Sequence, residues 1–285
     1  MSSFRSLVGR DALVDAAAIV ANDGIEHGRG WSAAEVADVK LHCCQVLQAV
    51  GHRCRLRQPA IATAIVYFRR FFAEQSILEH DPLLIGIASL WAASKVEDVA
   101  VAAKAIVREA MAILQQQPMA PAEQCYEAAH VIAAEPVLLR SLGFALLVAH
   151  PFDALARLLK QHLTAAAAVS TEPSSRVERD NLIHTAHALL NDCYRTDACI
   201  CYPPLALALC CLHTAGELLN LPLQLPSTSA ELQQHVEAAA ASLHALYERC
   251  HRLQPKELAA TRDRLSQHWT THGRSLAPVL APVLA

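Results

Sequence analysis

Fifteen histidines and ten cysteines in 285 residues are the side chains best placed to do chemistry. His184 and His187 stand three apart in a helical stretch, and His268 and His272 four apart. Either spacing puts two imidazoles on one helix face, where they can hold a metal ion. The second pair lacks the glutamate that follows the first histidine in His-Glu-x-x-His. The cysteines include Cys43-Cys44, Cys210-Cys211 and Cys199-Ile200-Cys201. None forms Cys-x2-Cys, and no second pair lies at zinc-site spacing. Most sit in apolar helical stretches, where a free thiol behaves as a small hydrophobe. Gly-x-Ser-x-Gly, P-loop and dinucleotide fingerprints are missing from the sequence. The expectation is a protein that grips a partner, with no cofactor, no metal and no catalytic residues.

Composition narrows the class of partner. The formal net charge is −3 and the sequence pI is near 6.6, which is no footprint for nucleic acid. Arg53, Arg55 and Arg57, with Arg69-Arg70, are the only basic clusters. A solvated helix face is the first reading of them, and a local contact to a phosphate or an acidic partner the lesser one. Met1–Arg10 lacks an apolar signal region, and no apolar run reaches about 18 residues, so neither secretion nor a membrane span is expected. The chain reads as reduced, cytosolic or nuclear.

The elements that must position a binding surface are helices. Hydrophobic residues make up 53% of the chain, largely Ala, Leu and Val, with only 9 glycines, so strands and tight hairpins have little support. Phe4–Ala21 is expected as a first helix, stopped by Asn22-Asp23-Gly24. Ser32 and Glu35 form a capping box for a helix to about Val50. Arg57–Glu74 places Ile61, Ile65, Phe68 and Phe72 on one face. Asp81-Pro82 starts a helix that is apolar on nearly every side to Ser94, and therefore central. Val101–Gln117 and Ala122–Leu147 follow, the latter with a kink or break at Pro136. Further helices are expected at Phe152–Leu163, Val177–Arg195, Pro203–Leu219 and Ser229–Cys250, with a loop over Thr164–Arg176. The repeat Ala277–Ala285 closes a tail that is expected to be mobile.

The plan occurs twice. Ile61-Ala62-Thr63-Ala64 matches Ile183-His184-Thr185-Ala186 at an offset of 183 − 61 = 122, and Pro82-Leu83 matches Pro204-Leu205 at the same offset. The predicted fold is all-α: two tandem domains, each of about five helices around a buried central helix, plus an N-terminal helix. The expected boundaries are 1–29 for the N-terminal helix and linker, 30–148 and 149–252 for the two domains, and 253–285 for a weakly structured tail.

Several stretches resemble the paired cyclin boxes of a transcriptional cyclin. Leu56-Arg57-Gln58, Ile61–Ala64 and Val66-Tyr67-Phe68 are similar to the second helix of the first box. Ala92-Ala93-Ser94-Lys95-Val96-Glu97-Asp98 is similar to the motif closing its third helix. His150-Pro151-Phe152, Asn191-Asp192-Cys193-Tyr194-Arg195-Thr196-Asp197 and Tyr202-Pro203-Pro204 resemble the second box of the cyclin C family, over roughly residues 30 to 252 in all. The resemblance implies a nuclear, non-catalytic regulatory subunit of the Mediator-type cyclin-dependent kinase, in company with other Mediator kinase-module subunits. Lys95 and Glu135 fall on a family pair at the kinase interface, and Phe144 and Leu146 on apolar positions that pack against the kinase. Asn191, Asp192 and Tyr194 fall in a motif that contributes to a groove for partner segments. Taken without the resemblance, Lys95 and Glu135 are an ordinary surface ion pair worth under about 1 kcal/mol. Relatives of cyclin H, T or K and a DNA-binding factor of the same two-box fold are the alternatives; the second wants a basic face that this chain lacks. Three departures stand out: Phe4–Asp15 has no Trp where the family's N-terminal helix usually carries one, His187 stands where the family usually has Trp, and Pro136 directly follows Glu135.

Overall fold

The computed structural model describes residues 13–116, 126–167, 174–221, 223 and 228–252, and near the C-terminus 259–261, 263–265 and 267–268. Among them every regular element is an α-helix. Val14–Val148 cluster with the described residues after His251 as one unit, and Ala149–Cys250 form another.

The first unit contains α1 (Ala16–Gly28), α2 (Ala33–Arg53), α3 (Gln58–Glu74), α4 (Pro82–Val96), α5 (Ala103–Leu114) and α6 (Ala128–Ser141). Asp81 starts α4 by accepting from the Leu83 and Leu84 amides at 2.9 and 3.3 Å, while Pro82 occupies a position whose N–H would go unused. Its second oxygen accepts from the Tyr126 hydroxyl at 2.7 Å. Burial raises the Asp81 pKa against the lowering effect of these bonds. From this capped start α4 runs through the core and touches α2, α3, α5 and α6. Its apolar circumference thus becomes its place as the central helix. Packing is close where α2 meets α3: a Cβ at Gly51 would lie 2.6 Å from Ile61 Cγ1. α2 also buries His42, which is 2% exposed, with no hydrogen-bond partner for Nε2 among the described residues. Burial depresses its pKa from 6.5 to about 4, so the ring is neutral.

The second unit contains α7 (Phe152–Ala167), α8 (Ser174–Cys193), the single turn α9 (Ala198–Cys201), α10 (Pro204–Leu218) and α11 (Ala230–Arg252). α10 is its central helix, packed by α7, α8 and α9. Ala239 and Leu243 of α11 join the same cluster of buried side chains. Cys193, Cys210 and Cys211 lie inside it as free thiols.

The internal repeat is exact in backbone geometry at the central helices. α4 and α10 begin and end 122 residues apart, at 82 and 204 and at 96 and 218. Both close with a Schellman turn. Val99 N–H donates to the Ser94 carbonyl at 2.9 Å and Asp98 N–H to Lys95 at 3.3 Å; Leu221 N–H donates to Gly216 at 2.8 Å and Asn220 N–H to Glu217 at 3.1 Å. The left-handed residue is Asp98 (φ 54°) in one and Asn220 (φ 53°) in the other, again 122 apart. Asp and Asn are the side chains that tolerate this conformation best after glycine.

Three local expectations are corrected. α1 runs through Asn22-Asp23-Gly24 to Gly28, while residues 4–12 of the expected first helix lie outside the described residues. Asn22 does not stop its own helix; its amide donates to the Phe72 and Gln75 carbonyls at 3.4 and 3.3 Å, at the end of α3. The expected loop over Thr164–Arg176 is helical at both ends, because the Ala run extends α7 to Ala167 and α8 begins at Ser174, while residues 168–173 lie outside the described residues. α6 is continuous past Pro136 but ends at Ser141, where Gly143 (φ 55°) takes the left-handed position of a C-terminal turn. Beyond 252, the described residues between 259 and 268 are helical, and Ala277–Ala285 lies outside the description.

Candidate interaction surface

Lys95 stands in the last turn of α4, where the helix dipole favours a cation. Its ammonium lies 3.6 Å from the centroid of the Trp91 ring and pairs with Glu135 of α6. The two side chains are 40% and 15% exposed, so the pair sits at the surface with its acid half sunk. One residue beyond α4, Glu97 accepts from the buried Thr63 hydroxyl at 2.7 Å, which ties the emerging end of the central helix to α3.

Glu135 does not stand alone on its face of α6. Ile132, Pro136 and Leu139 are three residues before it, one after and four after, which puts them on the same side. Ile132 and Pro136 are exposed and Leu139 half-buried. Pro136 has no N–H to give to the Ile132 carbonyl, so that acceptor has no donor from its own helix ladder.

The chain then turns through two left-handed residues, Gly143 and Phe144 (φ 59°). A bulky side chain in this region carries backbone strain of order 1 kcal/mol. The turn is nonetheless tightly bonded. Phe144 N–H donates to Leu139 at 3.1 Å and Ala145 N–H to Leu142 at 3.0 Å. From α3, the Tyr67 hydroxyl donates to the Leu146 carbonyl. Burial first, and then the Glu97 charge, raise the Tyr67 pKa and keep that hydroxyl a donor. With its carbonyls held inward, the turn leaves Phe144 66% and Leu147 64% exposed. Two large apolar side chains held in solvent on one turn make it a candidate interaction surface.

Four sequence-predicted residues therefore share the first unit: Lys95 and Glu135 in direct contact, Phe144 on the turn after α6, and Leu146 half-buried beside it. The sequence reasoning missed Leu147, Ile132 and Trp91. Ile132 and Leu139 were legible from their helical spacing about Glu135. Leu147 was not, because which of two adjacent leucines faces out of an irregular turn is set by the bonds from α3.

Asn191, Asp192 and Tyr194 gather in the second unit where α8 turns into α9. Tyr194 is buried, its hydroxyl 2.6 Å from His150 Nδ1 and its ring stacked on Phe152 at 5.9 Å. Asp192 accepts from the Tyr247 hydroxyl at 2.8 Å and pairs with Arg195 at 3.1 Å. Asn191 is half-buried. Thr196 accepts from the Ala198 amide at 3.2 Å and donates to the Cys193 carbonyl at 2.7 Å, which shapes the turn itself. His187, with Leu159, Leu163 and Ile183, lines an open groove of about 530 Å³ between α7 and α8. Among the described residues no group of three metal-ligating side chains converges, and no helix is long and apolar enough to cross a membrane.

Residues 35–147 match the cyclin N-terminal domain. The chain is 34% identical over 173 residues to cyclin-C of Rattus norvegicus, across 60% of this chain and 57% of that protein. It is 32% identical over 189 residues to cyclin-C of Drosophila melanogaster, across 65% and 66% of the two chains. The match thus spans less than two thirds of either relative's length. In fold the chain is similar to a chain of the yeast TFIIK (Kin28/Ccl1/Tfb3) complex, with a TM-score of 0.60 at 18% identity over 82% of this chain and 96% of that one. It is also similar to a chain of the yeast RNA polymerase II CTD kinase CTDK-1 complex, with a TM-score of 0.61 at 14% identity over 84% and 73%.

Proposed function

We propose, from the premise that this chain belongs to the cyclin C family, that it is the non-catalytic regulatory subunit of a Mediator-type cyclin-dependent kinase acting on RNA polymerase II transcription in the nucleus. The observation that carries the reading is the surface around Lys95 and Glu135. An oriented ion pair is flanked by an apolar helix face and by a strained turn that holds Phe144 and Leu147 in solvent. Exposed aromatic anchors around a few fixed polar groups are what a protein interface is built from. Docked on the kinase small lobe, such a surface holds the kinase's mobile helix in the position that completes its Lys–Glu ion pair, which phosphoryl transfer requires. The cyclin moves no proton and forms no bond; it selects one conformation of its partner. The second unit, with Asn191 and Asp192 at the α8–α9 turn, is left to receive other subunits of the kinase module.

The test is co-expression with a panel of cyclin-dependent kinases, scored for co-purification and kinase activity. A stable, active complex with the Mediator-type kinase alone is the expected result. Phe144→Ala is expected to weaken it by about 2 kcal/mol, roughly 30-fold in Kd. Glu135→Ala and Lys95→Ala should weaken docking without unfolding the chain. If all three variants capture the kinase as wild type does, the surface is assigned wrongly. Preference for a TFIIH-type or elongation-type kinase would keep the docking surface and replace the pathway.

A further inference from the structure

The first unit contains a contact between residues 229 apart in the chain. Arg264, near the C-terminus, lies with its guanidinium 4.4 Å from the centroid of the Trp31 ring. It pairs with Glu35 Oε1, and its other terminal nitrogen donates to the Gly30 carbonyl at 3.0 Å. Glu35 is already oriented when it does so. Its second oxygen accepts from the Ser32 amide at 2.9 Å and the Ser32 hydroxyl at 2.8 Å, the capping box that starts α2. Burial works to raise the Glu35 pKa, but the Ser32 bonds and the Arg264 charge outweigh it and leave the pKa below its usual value. A carboxylate, an indole face and a carbonyl thus converge on one planar cation. That set favours arginine over lysine, since a planar guanidinium lies flat on the indole while its forked donors reach the carboxylate and the carbonyl in one geometry.

The segment bearing Arg264 has the pattern of a helix docked by one stripe. Thr261 and Leu265, four apart, are buried at 7% and 3%, and His268 is half-buried. Asp263 and Gln267 point to the other side and are exposed. Thr261 and Leu265 are the only buried residues among those described between 259 and 268, so the order of this segment depends on the surface they cover.

We propose that Gly30, Trp31 and Glu35 form an arginine-reading docking site for a short amphipathic helix, and that residues 259–268 of this chain are its resident, separable ligand. The site lies at the entry to α2 and uses neither the Lys95–Glu135 pair nor the Phe144 turn. It stands or falls separately from kinase docking. Its recognition pattern is Thr-x-x-Arg-Leu read on one helix face, and any segment that displaced the resident one would need the same arrangement.

The experiment uses the full-length chain carrying Arg264→Ala and Leu265→Asp, so that its own segment is disabled. It is titrated with a fluorescein-labelled peptide of residues 255–272. Saturable binding to this variant is expected, with little uptake by the wild-type chain, whose site is filled. A peptide with Arg264→Lys is expected to bind at least tenfold more weakly. No uptake by the folded variant, or equal uptake of the Lys peptide, overturns the proposal. Should circular dichroism report that the double variant does not fold, hydrogen exchange on the wild-type chain decides. The amides of 259–268 are expected to exchange at least a hundredfold faster than those of α4, because the segment opens without unfolding the unit. Exchange at the α4 rate would mean that the segment is not separable.

Discussion

Lowering the pH from about 6.5 to 4 should loosen the first unit through a single side chain, His42. Its ring is 2% exposed, and burial alone depresses its pKa from 6.5 to about 4. In that interval the unfolded chain binds a proton at this position that the folded chain refuses. The contribution of the neutral ring is therefore present above pH 6.5 and is lost as the pH falls toward 4. A displacement of about 2.5 pH units at 1.36 kcal/mol each gives a loss of about 3 kcal/mol. At about 2–4 °C per kcal/mol for a unit of this size, wild type should lose roughly 6–12 °C more than a reference without the histidine. His42→Leu is that reference. It also removes a buried nitrogen that has no hydrogen bond among the described residues, so at pH 7.5 it should be as stable as wild type or about 1 kcal/mol more so. Thermal unfolding of both chains between pH 7.5 and 4, followed by the fluorescence of Trp31 and Trp91 in this unit, isolates the effect. Contributions from other titrating groups, such as the buried Asp81, are common to the two chains and cancel. Parallel curves would refute the reasoning and mean that the ring is solvated or finds a partner on protonation.

Phe144→Gly separates strain from binding: the free chain should gain up to about 1 kcal/mol in denaturant unfolding as the left-handed turn relaxes, while kinase capture falls, and a loss of stability would show that the side chain serves the fold. Asp98→Gly and Asn220→Gly should each stabilise by roughly 0.5–1 kcal/mol, by similar amounts because the two Schellman turns are alike; chemical denaturation in which only one responds would break the equivalence of the repeats.

The central helices were legible because nothing else could host them. An Asp-Pro start followed by a dozen largely apolar residues leaves a helix little solvent face, and a Pro-Pro start with a similar apolar run recurs 122 residues on. The repeat could be read from Ile61–Ala64 and Ile183–Ala186 without knowing that Asp98 and Asn220 would also coincide. Asn22 misled because its side chain is as good a cap for a neighbouring helix as a stop for its own, and only tertiary packing decides which carbonyls it meets. Pro136 allowed either a kink or a break, and the break is what the continuous helix excludes: a lost ladder bond breaks a helix only where neither water nor another element donates to the exposed carbonyl. Lys95 and Glu135, forty residues apart, were coupled by family resemblance and not by any local rule, and the turn that presents Phe144 depends on bonds from Tyr67 that no spacing reveals. The role of Arg264 was invisible for the same reason, since its partners are encoded at the other end of the chain.

That last separation bears on how the nascent chain matures. Ala149–Cys250, an entire folding unit, is synthesised between the two parts of the first one. At about 5–20 residues per second, Arg264 follows Glu35 out of the ribosome by roughly 10 to 45 seconds. Throughout that interval α1 to α6 can assemble around α4, but Trp31 has no guanidinium over it and the Leu265 contact does not exist. The unit that is translated first is thus the last to be finished, and until then the Trp31 face and the Glu35 carboxylate stand open to whatever attends the emerging polypeptide.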